Sequence, residues 1–138
     1  MAAEFELHIM TPEREFFAGQ VESLTLSSID GRLGIMAGHV PMVAPVEIGE
    51  LDITINGQQK KAFNSEGFIE VLHNHVLLFV QACEWPEEID ANRAARAAQL
   101  EREHLRQKQS MVEYKSAKLA LARAMERLRI SGQSINLK

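Results

Sequence analysis

The last third of the chain, residues 84–129, is the feature that most constrains the fold. It contains no glycine, and its one proline, Pro86, stands near its start. It is dense in Ala, Leu, Glu, Lys and Arg, the residues with the highest intrinsic helix propensities. The residues before Pro86 alternate between apolar and polar side chains, which is typical of strands. The sequence therefore predicts a β domain over residues 1–86 and a helical domain over residues 87–138.

The β domain is indicated by short alternating segments between turn residues. Over residues 4–10, Phe5, Leu7 and Ile9 fall on one face of a strand. Residues 49–55 alternate again and run into Asn56-Gly57, the strongest short signal for a hairpin. With further segments at 15–19, 21–28, 58–64, 68–72 and 76–82, this pattern predicts about seven or eight antiparallel strands in a sandwich or barrel.

The segment GRLGIMAGHVPMVAPVEIG, residues 31–49, mixes turn formers with apolar side chains. Glycines and the prolines Pro41 and Pro45 interrupt it, which excludes a regular helix or a central strand. The segment is nevertheless rich in Val, Ile, Leu and Met. We expect an apolar loop that is buried in the domain or applied to a partner.

Two helices are predicted in the last third. Asp90 is placed to cap the first, whose apolar face carries Ala91, Ala94, Ala95, Ala98 and Leu105. Residues 110–113, Ser-Met-Val-Glu, form a capping box that begins a second helix over 111–129. Residues 107–110 then connect an antiparallel hairpin, and residues 131–138 form a tail. The apolar stripe of the second helix consists of Tyr114, Ala117, Leu121, Ala124, Met125 and Leu128.

Charge separates the two parts. Residues 1–86 carry four basic and twelve acidic side chains (−8), whereas residues 87–138 carry eleven basic and seven acidic ones (+4), which gives the net charge of −4. Such a division favours docking of the helices on the sheets or on an acidic partner or anion; a solvated helix surface is the alternative. Cys83 is the single cysteine, so no disulfide framework forms and a reducing compartment fits.

No catalytic or metal-binding motif is visible in the sequence. There is no GxSxG, no HExxH and no glycine-rich phosphate loop. His73 and His75 flank a turn and could bind a metal, but solvent-exposed turn histidines are the favoured interpretation. We therefore expect no enzyme and no metal site.

Three arginines offer a candidate anion site. If the hairpin turns between residues 108 and 109, Arg93 lies level with Arg123 and Arg127, which are four residues apart on one helix face. Guanidinium groups gathered in this way suit phosphate oxygens. The alternative is that each arginine pairs with its own glutamate or with water.

The chain resembles the family of epsilon subunits of bacterial F-type ATP synthases, through residues 31–49, GFIEV (67–71), EIDANRA (88–94) and LALARAMERL (119–128). The resemblance implies a sandwich of about ten strands followed by a helical hairpin. It also implies a non-catalytic rotor subunit bound to gamma and the c-ring, peripheral at the cytoplasmic face of the bacterial cell membrane. Such subunits link proton-driven rotation to ATP synthesis, and their helices restrain ATP hydrolysis when they extend into the alpha/beta head.

The resemblance further implies specific binding residues. No cofactor is required, and ATP is implied as a regulatory ligand that latches the hairpin. Leu100 stands where the family has a further arginine. Carried over by position, Glu84, Ile89, Asp90 and Ala94 face the base, Arg93, Arg123 and Arg127 take the phosphates, and Asp30, Arg32 and His39 belong to the loop that contacts the c-ring.

Another class of function stays open from the residues alone. A basic helical hairpin could bind nucleic-acid phosphates. However, Tyr114 is the one aromatic residue of the predicted helices, so base-stacking residues are lacking and we expect no nucleic-acid partner.

Overall fold

The structure is a computed structural model that describes residues 3–107 and 111–132. The chain divides between Glu84 and Trp85 into two compact units, one of strands and one of helices. This division falls two residues before the boundary expected from the sequence. Each unit is described by itself.

Ten strands make up the first unit, and they form two five-stranded sheets. The sheet orders are β2-β1-β9-β8-β5 and β10-β7-β6-β3-β4. The expected sandwich is therefore confirmed. The strands are β1 (Phe5–Met10), β2 (Glu15–Val21), β3 (Ser23–Ser28), β4 (Gly31–Met36), β5 (Met42–Val46), β6 (Gly49–Ile55), β7 (Gln58–Asn64), β8 (Gly67–Leu72), β9 (His75–Val80) and β10 (Cys83–Glu84).

The core of the sandwich follows the alternation in the sequence. Phe5, Leu7 and Ile9 of β1 are at most 1% exposed, and the residues between them face outward. Leu51 and Ile53 of β6 are likewise fully buried. Each such side chain contributes about 1.5–3 kcal/mol when it leaves water, so the inward faces account for the stability of this unit.

The predicted hairpin turn at Asn56-Gly57 joins β6 to β7. Asn56 and Gly57 both have positive φ, 51° and 76°. Two successive residues with positive φ are the requirement of a type I′ turn, whose twist matches that of the strands. The turn thereby fixes the β6–β7 register, in which Ile55 pairs with Gln58.

One strand pairing departs from the antiparallel arrangement that the sequence predicted. β1 runs parallel to β9, with Glu6 opposite His75 and His8 opposite Leu77. The other pairings among the described strands are antiparallel. Because β1 also pairs with β2, the first strand of the chain lies inside its sheet rather than at the edge.

The expectation of an apolar loop over residues 31–49 is wrong. This segment forms β4 and β5 and enters β6 at Gly49. β4 and β5 each lie at the edge of a sheet. An edge strand tolerates a proline because the missing amide does not interrupt a ladder, so Pro45 can sit opposite Phe68 in the β5–β8 pair.

The second unit contains a short 3₁₀ turn, Pro86–Glu88, and two helices, α1 (Ala91–Gln107) and α2 (Met111–Ser131). The start of α1 packs against the end of α2, which confirms the antiparallel hairpin. Of the predicted connection over residues 107–110, Gln107 instead ends α1, and residues 108–110, including Ser110 of the capping box, lie outside the described residues, as do residues 133–138 of the predicted tail. Neither described helix is long and apolar enough to cross a membrane.

Candidate functional site

Asp90 caps α1 as predicted. Its Oδ1 accepts a hydrogen bond from the backbone N–H of Arg93 at 3.0 Å, and its backbone oxygen accepts one from the N–H of Ala94 at 3.0 Å. The 3₁₀ turn ahead of it is held by the Glu88 carboxylate, which accepts from the N–H of Trp85 at 2.9 Å. The segment 85–94 is thus fixed locally, and Asp90 has a structural role in addition to any contact with a ligand.

The two helices meet along a seam made mostly of alanine. Ala91, Ala94 and Ala95 form a buried cluster with Leu128, and each is at most 8% exposed. Small side chains let the helix axes approach closely but remove little apolar surface from water. Ala94, which was predicted to face the nucleotide base, packs between the helices and has only 5% of its surface exposed.

The predicted phosphate ligands lie along this seam. Arg93 is exposed and stands between Ala91 and Ala94 in α1, whereas Arg127 is half-buried beside Leu128 in α2. Because Leu128 packs against the alanines that flank Arg93, the structure brings Arg93 and Arg127 to the same level of the hairpin. Arg123 is half-buried one helical turn earlier in α2.

The remaining members of the predicted nucleotide site are placed as follows. Ile89 is 8% exposed between the 3₁₀ turn and α1. Leu100, where the resemblance implies an arginine, is 52% exposed on α1. Glu84 belongs to the other unit, in which it lies in β10 opposite Phe63 of β7. The nucleotide site as a whole stays a prediction.

The residues predicted to contact the c-ring do not form one loop. Asp30 lies in the turn before β4, Arg32 is in β4, and His39 follows that strand. β4 has six residues, and at about 3.3 Å per residue its two ends, one near Asp30 and the other near His39, are roughly 20 Å apart. Two distinct places on the sandwich, rather than one, carry these three residues.

Arg32 has an intramolecular role that the sequence did not reveal. Its Nη1 donates to the Ser27 hydroxyl at 2.9 Å and to the backbone oxygen of Glu50, and its Nη2 donates to Asp52 Oδ2 at 2.9 Å. Burial raises the pKa of the Asp52 carboxyl above its ordinary value, and the neighbouring Glu50 adds to this, while Arg32 opposes it. Arg32 therefore compensates a partly buried carboxylate across the β4-β3-β6 sheet.

A second cluster, which the sequence also did not reveal, lies on the outward face of the other sheet. His8 Nε2 lies 3.1 Å from Glu6 Oε1, and His8 Nδ1 lies 3.2 Å from Glu15 Oε1. The hydrogen bond to Glu6 is the main cause that raises the pKa of the His8 imidazole; desolvation opposes it and Glu15 reinforces it. The alternation in β1 puts Glu6 and His8 on one face, but the chain contains no local signal for their approach to β2.

A cleft of about 550 Å³ lies between α1 and α2 at the end of the hairpin away from the arginines. None of the residues predicted to bind nucleotide contributes to it. It is lined by Glu101, His104, Gln107, Val112, Glu113, Ser116 and Ala117.

Two family models match the chain and together span nearly all of it. Residues 4–86 match the β-sandwich domain of the ATP synthase delta/epsilon chain, and residues 87–132 match its long α-helix domain. The border between the two models falls close to the division of the structure at Glu84.

Proteins of similar sequence are ATP synthase epsilon chains. An ATP synthase epsilon chain of Caldanaerobacter subterraneus subsp. tengcongensis is 42% identical over 134 residues, which are 96% of this chain and 97% of that protein. An ATP synthase epsilon chain of Caldicellulosiruptor saccharolyticus is 44% identical over 128 residues, 93% of each.

Solved structures share the fold at lower identity. A chain of the Euglena gracilis mitochondrial ATP synthase, in a structure of OSCP, F1 and c-ring, aligns with a TM-score of 0.77 and 22% identity over 91% of this chain and 80% of its own length. A chain from the central stalk and c-ring of the Tetrahymena thermophila mitochondrial ATP synthase aligns with a TM-score of 0.67 and 15% identity, covering 94% of this chain and 98% of its own.

Proposed function

The chain belongs to the ATP synthase delta/epsilon chain family, and on this premise we propose that it is a central-stalk subunit, bound to gamma and the c-ring, whose helical hairpin restrains ATP hydrolysis. Its relatives are epsilon chains, so it is a non-catalytic part of a larger enzyme. The observation that carries the proposal is the match of both domains in the order and extent of the family. Because the chain belongs to this family, we no longer consider the alternative that the basic hairpin binds nucleic acid.

An apolar surface on the edge strands supports docking to other rotor subunits. Met36, Val40 and Val43 are 65%, 69% and 69% exposed and follow one another through the β4–β5 connection, which includes His39. Exposed apolar side chains concentrated in one segment are typical of an interface. We assign this segment to the contact that couples the subunit to rotation.

The two ends of β4 allow this assignment to be tested. Val40→Asp places a charge in the apolar segment, and Ile29→Asp places one on a side chain of similar exposure, 72%, at the other end of β4. We expect Val40→Asp to weaken incorporation into the ATP synthase, measured by co-purification, and Ile29→Asp to leave it unchanged. If only Ile29→Asp weakens incorporation, the contact lies instead at the end of β4 that carries Asp30 and Arg32. If neither substitution has an effect, neither end of β4 forms the contact.

The weak seam of the hairpin supports a regulatory rather than a purely architectural role for the helices. Two alternative packings of one segment can be exchanged only when the free-energy difference between them is small. We expect ATP synthase reconstituted with residues 1–86 to retain proton-coupled synthesis and to hydrolyse ATP faster than the enzyme with the full chain. If hydrolysis is unchanged, the helices do not restrain the enzyme.

The positions of Arg93 and Arg127 at one level of the hairpin support ATP as the ligand that stabilises its folded form. A ligand that binds the folded hairpin alone adds RT ln(1 + [L]/Kd), about 1.4 kcal/mol at ten times Kd. Of the other predicted ligands, Ile89, Asp90, Ala94 and Arg123 belong to the same unit, and Glu84 belongs to the strand unit. High ATP would then keep the helices folded and low ATP would release them.

Calorimetric titration of the full chain with ATP tests the latch. We expect binding to be lost in Arg93→Ala and Arg127→Ala but kept in Arg129→Ala, because Arg129 is an exposed arginine of the same helix that lies outside the predicted set of ligands. Absence of heat and of a thermal shift at about 1 mM ATP would exclude the latch. It would leave the central-stalk assignment intact, since that rests on family membership.

A further inference from the structure

Four side chains with metal-ligating chemistry meet on the outward face of the β2-β1-β9-β8-β5 sheet. Glu6 and His8 alternate outward from β1, and His75 at the start of β9 stands opposite Glu6 in the parallel ladder. The imidazole rings of His8 and His75 have their centroids 5.1 Å apart. Residues far apart in the chain are thus brought together by the one pairing that the alternation did not predict.

A β-bulge brings the fourth side chain, Glu15, to the same face. Val21 to Phe17 pair with Phe5 to Ile9 in continuous register, but Met10 then pairs with Glu15 instead of the next residue in order. One extra residue in β2 inverts the sense of its alternation, so Glu15 points outward rather than into the core. Its carboxylate reaches His8 Nδ1 at 3.2 Å.

The ligand atoms of this cluster lie close enough for small side-chain movements to bring them around one metal ion. One ligand atom from each of Glu6, His8 and His75 can be chosen so that all three lie within 4.8 Å of one another. His8 Nε2 is 3.1 Å and His75 Nε2 4.0 Å from the two carboxylate oxygens of Glu6. Ligands at about 2.0–2.1 Å from a tetrahedral ion lie about 3.3 Å apart, so displacements below about 1 Å suffice.

The hydrogen-bonding groups of the cluster favour a bound cation. Nε2 of His75 is shielded from solvent and has no hydrogen-bond partner within the described part of the chain. Both ring nitrogens of His8 face carboxylates, and the imidazole can satisfy both only with two protons or with a metal ion in place of one of them. A metal ion on the Nε2 atoms would engage His75 and leave the Nδ1–H of His8 to donate to Glu15.

We propose that this face of the sandwich is a zinc site in which His8 Nε2, His75 Nε2 and the Glu6 carboxylate bind one Zn²⁺. Two imidazoles and a carboxylate are a ligand set that zinc favours, and they leave a fourth position for water. Glu15 is a positioning residue, since it fixes the orientation and tautomer of His8 as carboxylates do around metal-bound histidines. The proposed ligands lie on β1 and β9, and none belongs to the apolar segment around Val40.

Binding would join β1 to β9 through the ion. The two histidines are held by strands at opposite ends of the β unit's sequence, so the ion would restrict the unfolded chain between residues 8 and 75. We therefore expect Zn²⁺ to raise the unfolding temperature of the sandwich.

The test uses the full chain without an affinity tag, after treatment with a chelator. Calorimetric titration with ZnCl₂ should give one site per chain, and Co²⁺ should give the intense visible absorption of a tetrahedral complex. His8→Gln and His75→Gln should abolish both signals, and Glu15→Gln should weaken binding about 10–100-fold. His73→Gln is the matched control, because this exposed histidine lies two residues from His75 but outside the cluster.

One outcome of these titrations supports the zinc site, and two would overturn it. Loss of binding in the His8 and His75 variants, with His73→Gln unchanged, supports the site. Binding that survives both of these substitutions would place the metal elsewhere and overturn the proposal. No heat and no cobalt spectrum with the wild-type chain at about 100 µM metal would also overturn it, because the four groups would then be a proton-linked surface cluster.

Discussion

Leu128→Ala is the substitution that best probes how the helical hairpin is held. Leu128 is the single large side chain in a buried cluster whose other members are Ala91, Ala94 and Ala95. It is 7% exposed, and replacement by alanine removes three carbons. At about 0.8 kcal/mol per buried methylene this loss is about 2.4 kcal/mol, and the cavity left behind raises it to about 3 kcal/mol.

This magnitude is large for the hairpin because the rest of the cluster is small. The three alanine methyl groups together contribute only about 2.4 kcal/mol by the same measure. A loss of about 3 kcal/mol would increase the population of the opened hairpin roughly 100-fold. The amide hydrogen-exchange protection of α1 and α2 should fall by this factor while that of the sandwich strands is unchanged, as measured by mass spectrometry of peptic fragments.

Leu119→Ala is the control, because Leu119 lies on the same helix but is 46% exposed. It should change protection by a factor of about two at most. Equal effects of the two substitutions would refute the assignment of the hairpin's stability to Leu128. An equal fall in protection of the sandwich would refute the hairpin as a separately opening unit.

Five further substitutions, two of which are controls, test the scaffold. Gly67→Ala should destabilise the sandwich by about 3 kcal/mol or more, because its Cβ would clash with the backbone oxygen of Phe79 in β9. Gly34→Ala, with nothing within 4 Å, should be nearly neutral in urea titrations. Arg32→Gln should cost about 1–3 kcal/mol near neutral pH. Burial raises the pKa of the Asp52 carboxyl above its ordinary value, and a protonated carboxyl does not need the guanidinium. The cost should therefore shrink as the pH falls and Asp52 becomes protonated; a constant cost would contradict the pairing. Asp90→Ala should cost about 1 kcal/mol of helix stability by circular dichroism, and Asp90→Asn much less.

Local features of the sequence predicted much of this fold. The alternation around Phe5 and Leu51 identified buried strand faces, and Asn56-Gly57 located a hairpin with the required backbone angles. Asp90 marked the start of α1. In each case the signal and its structural consequence lie within a few residues, so no knowledge of distant contacts was needed.

The features that could not be predicted depend on contacts between distant segments. Residues 31–49 form two strands despite their prolines, because a strand at a sheet edge needs fewer amide donors than one inside it. The ion pair of Arg32 with Asp52 and the approach of His8 to His75 both require the strand order. For the arginines of the hairpin, the sequence spacing indicated that they lie at one level, but spacing alone does not identify the ligand that they bind.

The position of β1 inside its sheet has a consequence for how the chain is made. β1 is synthesised before the other described strands, yet one of its two neighbours, β9, is completed only at Val80. The sheet therefore cannot close on the ribosome until β9 has emerged, and folding of the sandwich should be slow, in the millisecond-to-second range of folds dominated by non-local pairing. The helices, whose hydrogen bonds are local, should form within about a microsecond of their release. During synthesis, one edge of β1 therefore stays unpaired until β9 is available.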